Sequence, residues 1–438
     1  GKDSAGFVSW FAQAPVSEAD RIDQRHRFVQ SRKPWIAETA GTRVYPWRVF
    51  ILADQPIQLV ESDIVYALAA PSGLADATWV KPGVAAWDWW CDWNVSGVDF
   101  RAGYNTATYQ YFVDFAIRNK LPYMLFDGGW APNLDVMSIK PEIDLPGLVK
   151  YAAEHGVAVI LWSSWSQMYG RQREVFKKYS AMGVKGFKID YMDRDDQDVV
   201  RFIEETAAIA AEYKLVIDYH GMFKPTGLQR TYPNVLNFEG VHGLEMLKFK
   251  SDTDVPHNDC QIVFTRMVAG PVDYTPGAMI NQTRKAFTVN RQQPSSQGTR
   301  VHQMALMSLF EAPLQMLCDS PTQYMRSQTC TDFMAQVPTV WDETVGVAGS
   351  IGNYAAVARR KGKVWYVSAI GNWEPRELTL DLGFIKGRCQ AEIFADGINA
   401  DRDATDYTRT VRELECSVPL TVTLAPGGGW TARLEPVK

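Results

Sequence analysis

Four separate stretches of the chain run from β-forming apolar residues straight into a carboxylate: Tyr123-Met-Leu-Phe-Asp127, Gly186-Phe-Lys-Ile-Asp190, Leu215-Val-Ile-Asp218 and Val235-Leu-Asn-Phe-Glu239. The gaps between them, roughly 20 to 60 residues, can each hold a helix, which is the pattern of successive βα units in a parallel sheet. One acid at a strand end is ordinary. Several at the carboxyl ends of parallel strands put acids on the face where α/β barrels carry their chemistry, and paired carboxylates are what glycoside hydrolysis needs.

The alternation extends in both directions. Trp79 to Asp88 brings a first strand, and Asn105 to Asn119 is an amphipathic helix leading to the strand that ends at Asp127. Helices follow at Leu145–His155, Gly170–Met182 (with Gly183 as its C′ residue), Gln197–Tyr213 and Val301–Phe310, and further strands at Val157–Trp162, Gln261–Val268 and Leu314–Cys318. Eight units in this span suit a (β/α)8 TIM barrel over 81–342. Before it, Arg43–Leu52 and Pro56–Val60 are strand-like and read as the tail of a β-rich domain, 1–80. After it, 343–438 changes to short alternating segments, among them Tyr354–Arg360, Val364–Ile370, Glu377–Leu382, Cys389–Phe394 and Thr421–Leu424, which fit an antiparallel β-sandwich.

Composition narrows the function. A formal net charge of -5 and a pI near 5.8 provide no basic stripe, which argues against nucleic acid or an anionic membrane as partner. No apolar run approaches the length of a membrane span. The six cysteines contain no C-x-x-C pair, so neither a zinc site nor a disulfide scaffold is indicated, although Cys389 and Cys416 share the C-terminal β region and could pair. Fifteen tryptophans exceed what a core usually requires, and Trp130 and Trp162 stand near predicted strand ends, where an indole can stack on the apolar face of a pyranose.

The candidate chemistry is acidic. Asp190 ends a strand that carries Lys188 inside it, an arrangement open to two readings: a satisfied buried ion pair, or a cation keeping a nucleophilic carboxylate charged. Asp127 precedes two glycines that let the backbone turn close to a ligand. Glu239 and Glu245 flank Gly240 and Gly243; either could act as a general acid, and both could bind a hard cation such as calcium. There is no H-E-x-x-H segment and no glycine-rich turn opening a helix, so phosphate and nicotinamide chemistry are unsupported.

With these residues assembled, the chain resembles glycoside hydrolase family 97, most specifically over Gly186-Phe-Lys-Ile-Asp-Tyr-Met192, Lys224-Pro-Thr-Gly-Leu-Gln-Arg-Thr-Tyr-Pro-Asn234 and Phe264-Thr-Arg-Met-Val-Ala-Gly-Pro-Val-Asp-Tyr-Thr-Pro-Gly277. The resemblance implies a barrel between an N-terminal β-supersandwich, of which 1–80 corresponds to the last part, and a C-terminal β-sandwich. It also implies a periplasmic or secreted protein. In the family's inverting branch the fourth-strand aspartate is absent and glutamates follow the third and fifth strands; here Asp190 is present, and the other two positions read Leu161-Trp-Ser-Ser-Trp165 and Tyr219-His-Gly221. The resemblance therefore implies the retaining branch, acting on α-galactosides, with Asp190 as nucleophile, Glu245 as acid/base, and calcium near Glu239 and Glu245. Asp127, Lys188, Trp130, Trp162 and His220 are the expected substrate contacts. Rival readings are a retaining enzyme for an α-glucoside or a β-L-arabinopyranoside, and a carbohydrate-binding protein without turnover. The oligomeric state is not legible in the sequence.

Overall fold

The computed structural model describes residues 12–18, 25–43 and 45–437. Two short strands, β1 (Pro15–Glu18) and β2 (Val29–Arg32), pair antiparallel near the start. The two strands expected after them are absent. Residues 45–52 have no regular structure, with Tyr45, Trp47, Phe50 and Leu52 all exposed, and Pro56–Glu61 is a 3-10 helix opened by Pro56. An alternating pattern becomes a strand only when a neighbouring strand accepts its backbone bonds, and no strand among the described residues pairs with these segments. The 3-10 helix instead packs on the C-terminal sheet, where the Gly346 N–H donates to Glu61 at 2.8 Å.

The strands β3 (Gly83–Trp87), β4 (Tyr123–Phe126), β5 (Ala158–Ser164), β6 (Gly186–Asp190), β7 (Val216–Tyr219) and β8 (Val235–Phe238) follow. A two-residue parallel pair, β9 (Asn281–Gln282) with β10 (Ser296–Gln297), lies in the long excursion before β11 (Leu314–Leu317). The main sheet is parallel throughout in the order β11-β3-β4-β5-β6-β7-β8. Its strands are almost wholly buried, as expected where helices cover one face and a barrel interior the other.

The seventh barrel position corrects the sequence reading. Val255–Thr265 is an α-helix, not the strand expected at Gln261–Val268. Its start was marked: Asp254 caps it by accepting from the His257 N–H at 3.2 Å, and Pro256 sits in the first turn. The run Ile262-Val263-Phe264 has strand-like residues, but it lies on the buried face of the helix. The gap between β8 and β11 is filled by the extended stretch that follows. The Val272 N–H donates to the Glu311 carbonyl and the Asp273 N–H to that of Phe238, each at 2.8 Å, and the Asn237 side chain reaches the Leu314 carbonyl at 2.9 Å.

The C-terminal part has eight strands: β12 (Glu343–Ser350), β13 (Tyr354–Lys361), β14 (Val364–Gly371), β15 (Arg376–Leu380), β16 (Arg388–Asp396), β17 (Tyr407–Glu415), β18 (Leu420–Leu424) and β19 (Gly429–Pro436). Six form one antiparallel sheet in the order β12-β13-β14-β19-β16-β17, and β15 pairs with β18. Arg300–Leu309, buried from Val301 onward, joins this sheet to the barrel: Ser308 shares a 2.6 Å hydrogen bond with Ser368, and His302 bridges Asp259 and the Gly428 carbonyl at 3.0 and 3.1 Å. Cys389 and Cys416 are both free, buried thiols.

Candidate active site at the carboxyl ends of the strands

Parallel pairing sets the polar layer of the barrel. Trp162 on β5 is in register with Lys188 on β6, Lys188 with Asp218 on β7, and Asp218 with Asn237 on β8. Residues in lateral register share a face, and those two apart along a strand share it again, so Lys188 and Asp190 both point into the barrel.

Asp190 is held by two donors. The Trp162 indole N–H reaches Oδ2 at 3.1 Å, and the Tyr191 backbone N–H turns onto Oδ1 at 2.6 Å. That second contact needs Tyr191 at φ 69°, a left-handed conformation uncommon for a bulky side chain and costing about 1–3 kcal/mol. The neighbouring loop compensates by a close backbone fit at Gly221, which is itself at φ 54°. A Cβ there would lie 2.8 Å from the Tyr191 nitrogen. Gly221→Ala is accordingly expected to lower the melting temperature and, by pushing Tyr191, to reduce kcat more than it raises KM; unchanged melting and kcat would show that this fit does not position Asp190.

Lys188 is buried between carboxylates. Its Nζ lies 3.1 Å from Asp127 Oδ2 and 3.7 Å from Glu245 Oε1, and 4.3 Å over the Trp87 ring. Burial alone would lower its pKa, but Asp127, Glu245, Asp273 and Asp190 outweigh that and hold it well above the ordinary value, so it stays a cation. Asp127 also accepts from the Trp87 indole at 2.8 Å, and its backbone N–H donates to Asp88 at 3.1 Å. Asp88 is buried, and burial with the Asp127 charge raises its pKa well above normal.

Glu239 and Glu245 meet across His220. The His220 Nδ1 is 3.7 Å from Glu239 Oε1 and 3.8 Å from Glu245 Oε1, while its Nε2 is 2.5 Å from Asp273 Oδ2. Glu239 also accepts the Gly221 N–H at 2.7 Å. Burial, helped by Glu239 and Asp190 and only partly offset by Lys188 and His220, pushes the Glu245 carboxyl up to about 7. Its Oε1 is buried without a hydrogen-bond partner. Beneath lies Asp218, its Oδ2 3.7 Å from His220 Nε2 without a hydrogen bond, and its pKa raised well above normal by burial and by Asp273 despite the His220 charge. Burial acts to raise Asp273 as well, but the charge and hydrogen bond of His220, with Lys188, carry it below the usual range.

The expected site residues thus divide. Asp127, Lys188, Asp190, Glu245 and Glu239 line one carboxylate-rich centre, with Trp162 on Asp190. His220, expected as a substrate contact, is only 1 % exposed, with both ring nitrogens facing carboxylates. Trp130 is likewise 1 % exposed; its indole N–H donates to the Trp162 carbonyl and its ring packs against Tyr179, so it supports Trp162 from the core. The sequence reading missed Asp88 and Asp273. The first stands at the end of a recognised strand, but the second was hidden when the seventh strand was assigned to residues 261–268.

The donor set also admits a cation. His220, Glu239 and Glu245 offer ligand atoms within 4.8 Å of one another. The two carboxylates, one with an unpartnered oxygen, suit a hard ion; the imidazole suits it less.

A parallel α/β barrel with carboxyl groups of divergent proton affinity at its strand ends defines the architecture of a glycosidase-type site. The family model for Glycoside hydrolase 97 matches residues 89–241, and that for Glycosyl-hydrolase 97 C-terminal, oligomerisation, matches 340–435, so the chain belongs to glycoside hydrolase family 97. It is 44% identical over 417 residues to a protein of Bacteroides thetaiotaomicron named a retaining alpha-galactosidase, with 94% of this chain and 63% of that protein covered. The chain therefore spans less than two thirds of that curated relative's length. Among solved structures it is similar to a family 97 enzyme of Pseudoalteromonas sp. strain K8 in complex with acarbose, with a TM-score of 0.80 at 28% identity, covering 88% of this chain and 65% of that one. It is also similar to a beta-arabinopyranosidase, with a TM-score of 0.73 at 26% identity over 87% of this chain and 60% of the other.

Proposed function

We propose that this protein is a retaining α-galactosidase. The observation that carries the reading is the pair of carboxyl groups in opposite roles around Lys188: Asp190, fixed by two hydrogen bonds at its strand end, and Glu245, pushed up to about 7 and so still protonated in part at neutral pH. Asp190 attacks the anomeric carbon from the β face, giving a covalent β-galactosyl ester, while Glu245 delivers its proton to the departing oxygen. Glu245 then takes a proton from water, which attacks the anomeric carbon from the α side, breaking its bond to Asp190 and releasing α-galactose. Asp127 and Lys188, 3.1 Å apart in the same interior layer, hold ring hydroxyls. The curated relative's name supports the galactoside; the beta-arabinopyranosidase keeps a second sugar in view, since that ring matches galactose except at one substituent.

Product NMR on an α-galactoside tests this directly. The first sugar formed should be the α anomer, and galactosides should exceed glucosides and β-L-arabinopyranosides across a nitrophenyl panel. Initial release of the β anomer would remove the double displacement.

Glu239 and Glu245 are the residues that would hold calcium, which would supply positive charge close to the departing oxygen. Exhaustive chelation should lower activity, and calcium should restore it and raise the melting temperature. Unchanged melting together with no metal by elemental analysis would count against it.

A further inference from the structure

The extended stretch that stands in for a seventh strand is fastened to the barrel by one side chain. β8 is the last strand of the parallel sheet, so the carbonyls at its end have no facing strand to supply donors. Arg266, the residue after the helix Val255–Thr265, supplies them. Its guanidinium donates to the carbonyls of Phe238, Glu239 and Gly240 at 3.0, 3.0 and 3.1 Å on one side. On the other it donates to those of Gly270 and Pro271 at 2.9 and 2.6 Å.

Buried arginines are ordinarily paired with a carboxylate. Arg266 is 6 % exposed, yet every hydrogen bond it makes among the described residues goes to a carbonyl. A planar fork of five N–H donors can span two chain segments at once, whereas a lysine carries its donors on a single nitrogen. The two segments joined in this way lead to opposite sides of His220. Glu239, on the first, has Oε1 3.7 Å from Nδ1, and Asp273, two residues beyond Pro271 on the second, has Oδ2 2.5 Å from Nε2. The same Nδ1 faces Glu245 Oε1 at 3.8 Å, an oxygen that has no hydrogen bond and only Lys188, at 3.7 Å, as its other charged neighbour within 4 Å.

On the galactosidase reading above, we propose that Arg266 is a positioning residue for the acid/base. By clamping the end of β8 to Gly270 and Pro271 it fixes Glu239 and Asp273 about His220, and through that ring the place from which Glu245 delivers its proton. Its donors are taken up by backbone, so it acts only through those residues. Displacing a reacting group by 1 Å can cost on the order of 10²-fold in rate.

The test measures kcat and KM on an α-galactosyl disaccharide and on dinitrophenyl α-galactoside, below the melting temperature and with calcium in every arm. It compares the native protein with Arg266→Lys, Asp273→Asn and the double variant. Arg266→Lys keeps the charge and loses the fork, so kcat on the disaccharide should fall by roughly 10- to 100-fold with KM little changed. The dinitrophenyl substrate, which needs little protonation, should lose far less. Because both substitutions act through His220, the double variant should lose much less than the product of the two single losses. Arg266→Met should behave in the same way where it folds, and Arg266→Lys decides the matter where it does not. An Arg266→Lys protein that only melts lower, with the native ratio of kcat between the two substrates, overturns the inference and leaves the galactosidase reading standing. Losses that simply multiply in the double variant do the same. Hydrolysis of neither substrate by the native protein removes the galactosidase reading and the inference with it.

Discussion

Asp190→Ala should lose essentially all hydrolysis, by a factor on the order of 10⁴ or more, the scale on which enzymes lose rate when a nucleophile is deleted. The loss should be reversible from outside. Removing the carboxylate leaves a space on the β face, still bordered by the Trp162 indole N–H and the Tyr191 N–H that had bound it. Azide can enter there and attack the anomeric carbon of a galactoside with a good leaving group, giving β-galactosyl azide, the configuration opposite to that of the substrate. A structural role alone would be lost without rescue. Wild-type rate in a verified Asp190→Ala preparation, or α-configured azide, would end the assignment.

Glu245→Gln should separate substrates by leaving group. A general acid matters in proportion to how much the departing oxygen needs a proton, and its removal typically costs about 10²–10⁴-fold. Natural galactosides should fall by that amount, whereas a dinitrophenyl galactoside, which departs unaided, should keep far more of its rate. The pH profile gives an independent check. A carboxyl at about 7 is a competent acid below that pH and loses its proton above it, so the alkaline limb of kcat/KM should lie near 7 in the calcium-free protein, move lower where calcium binds Glu245, and flatten in Glu245→Gln. Glu239→Gln should depress both substrates together and respond to added calcium. If the leaving-group dependence appears in the Glu239 variant, the two glutamates exchange roles.

Legibility in the sequence followed the range of the interaction. The strands running into Asp127, Asp190 and Glu239, and the helices between them, are readable because apolar period and capping are local, whereas Asp218 lies inside its strand, level with Lys188. Asp254 and Pro256 are equally local, and the helix they open was misread only because Ile262, Val263 and Phe264 suggested a strand. The stretch through Asp273 carries no strand pattern of its own. It is extended because Phe238 and Glu311 present carbonyls on either side, and that gap exists only after the barrel has curved round.

The sequence by itself determined the parallel α/β class, the acids at the strand ends and the inward direction shared by Lys188 and Asp190, all of which follow from residue type and a period of two along a strand. Only the tertiary structure decided what those acids do. A carboxyl group's proton affinity depends on burial and on charges within a few ångströms, and Glu245 acquires its neighbours Lys188 and His220 from other strands of the barrel. The fold likewise set His220 among acids, with Asp273 on one ring nitrogen and Glu239 and Glu245 on the other. Segments distant along the chain meet there, and no spacing in the sequence records that they do.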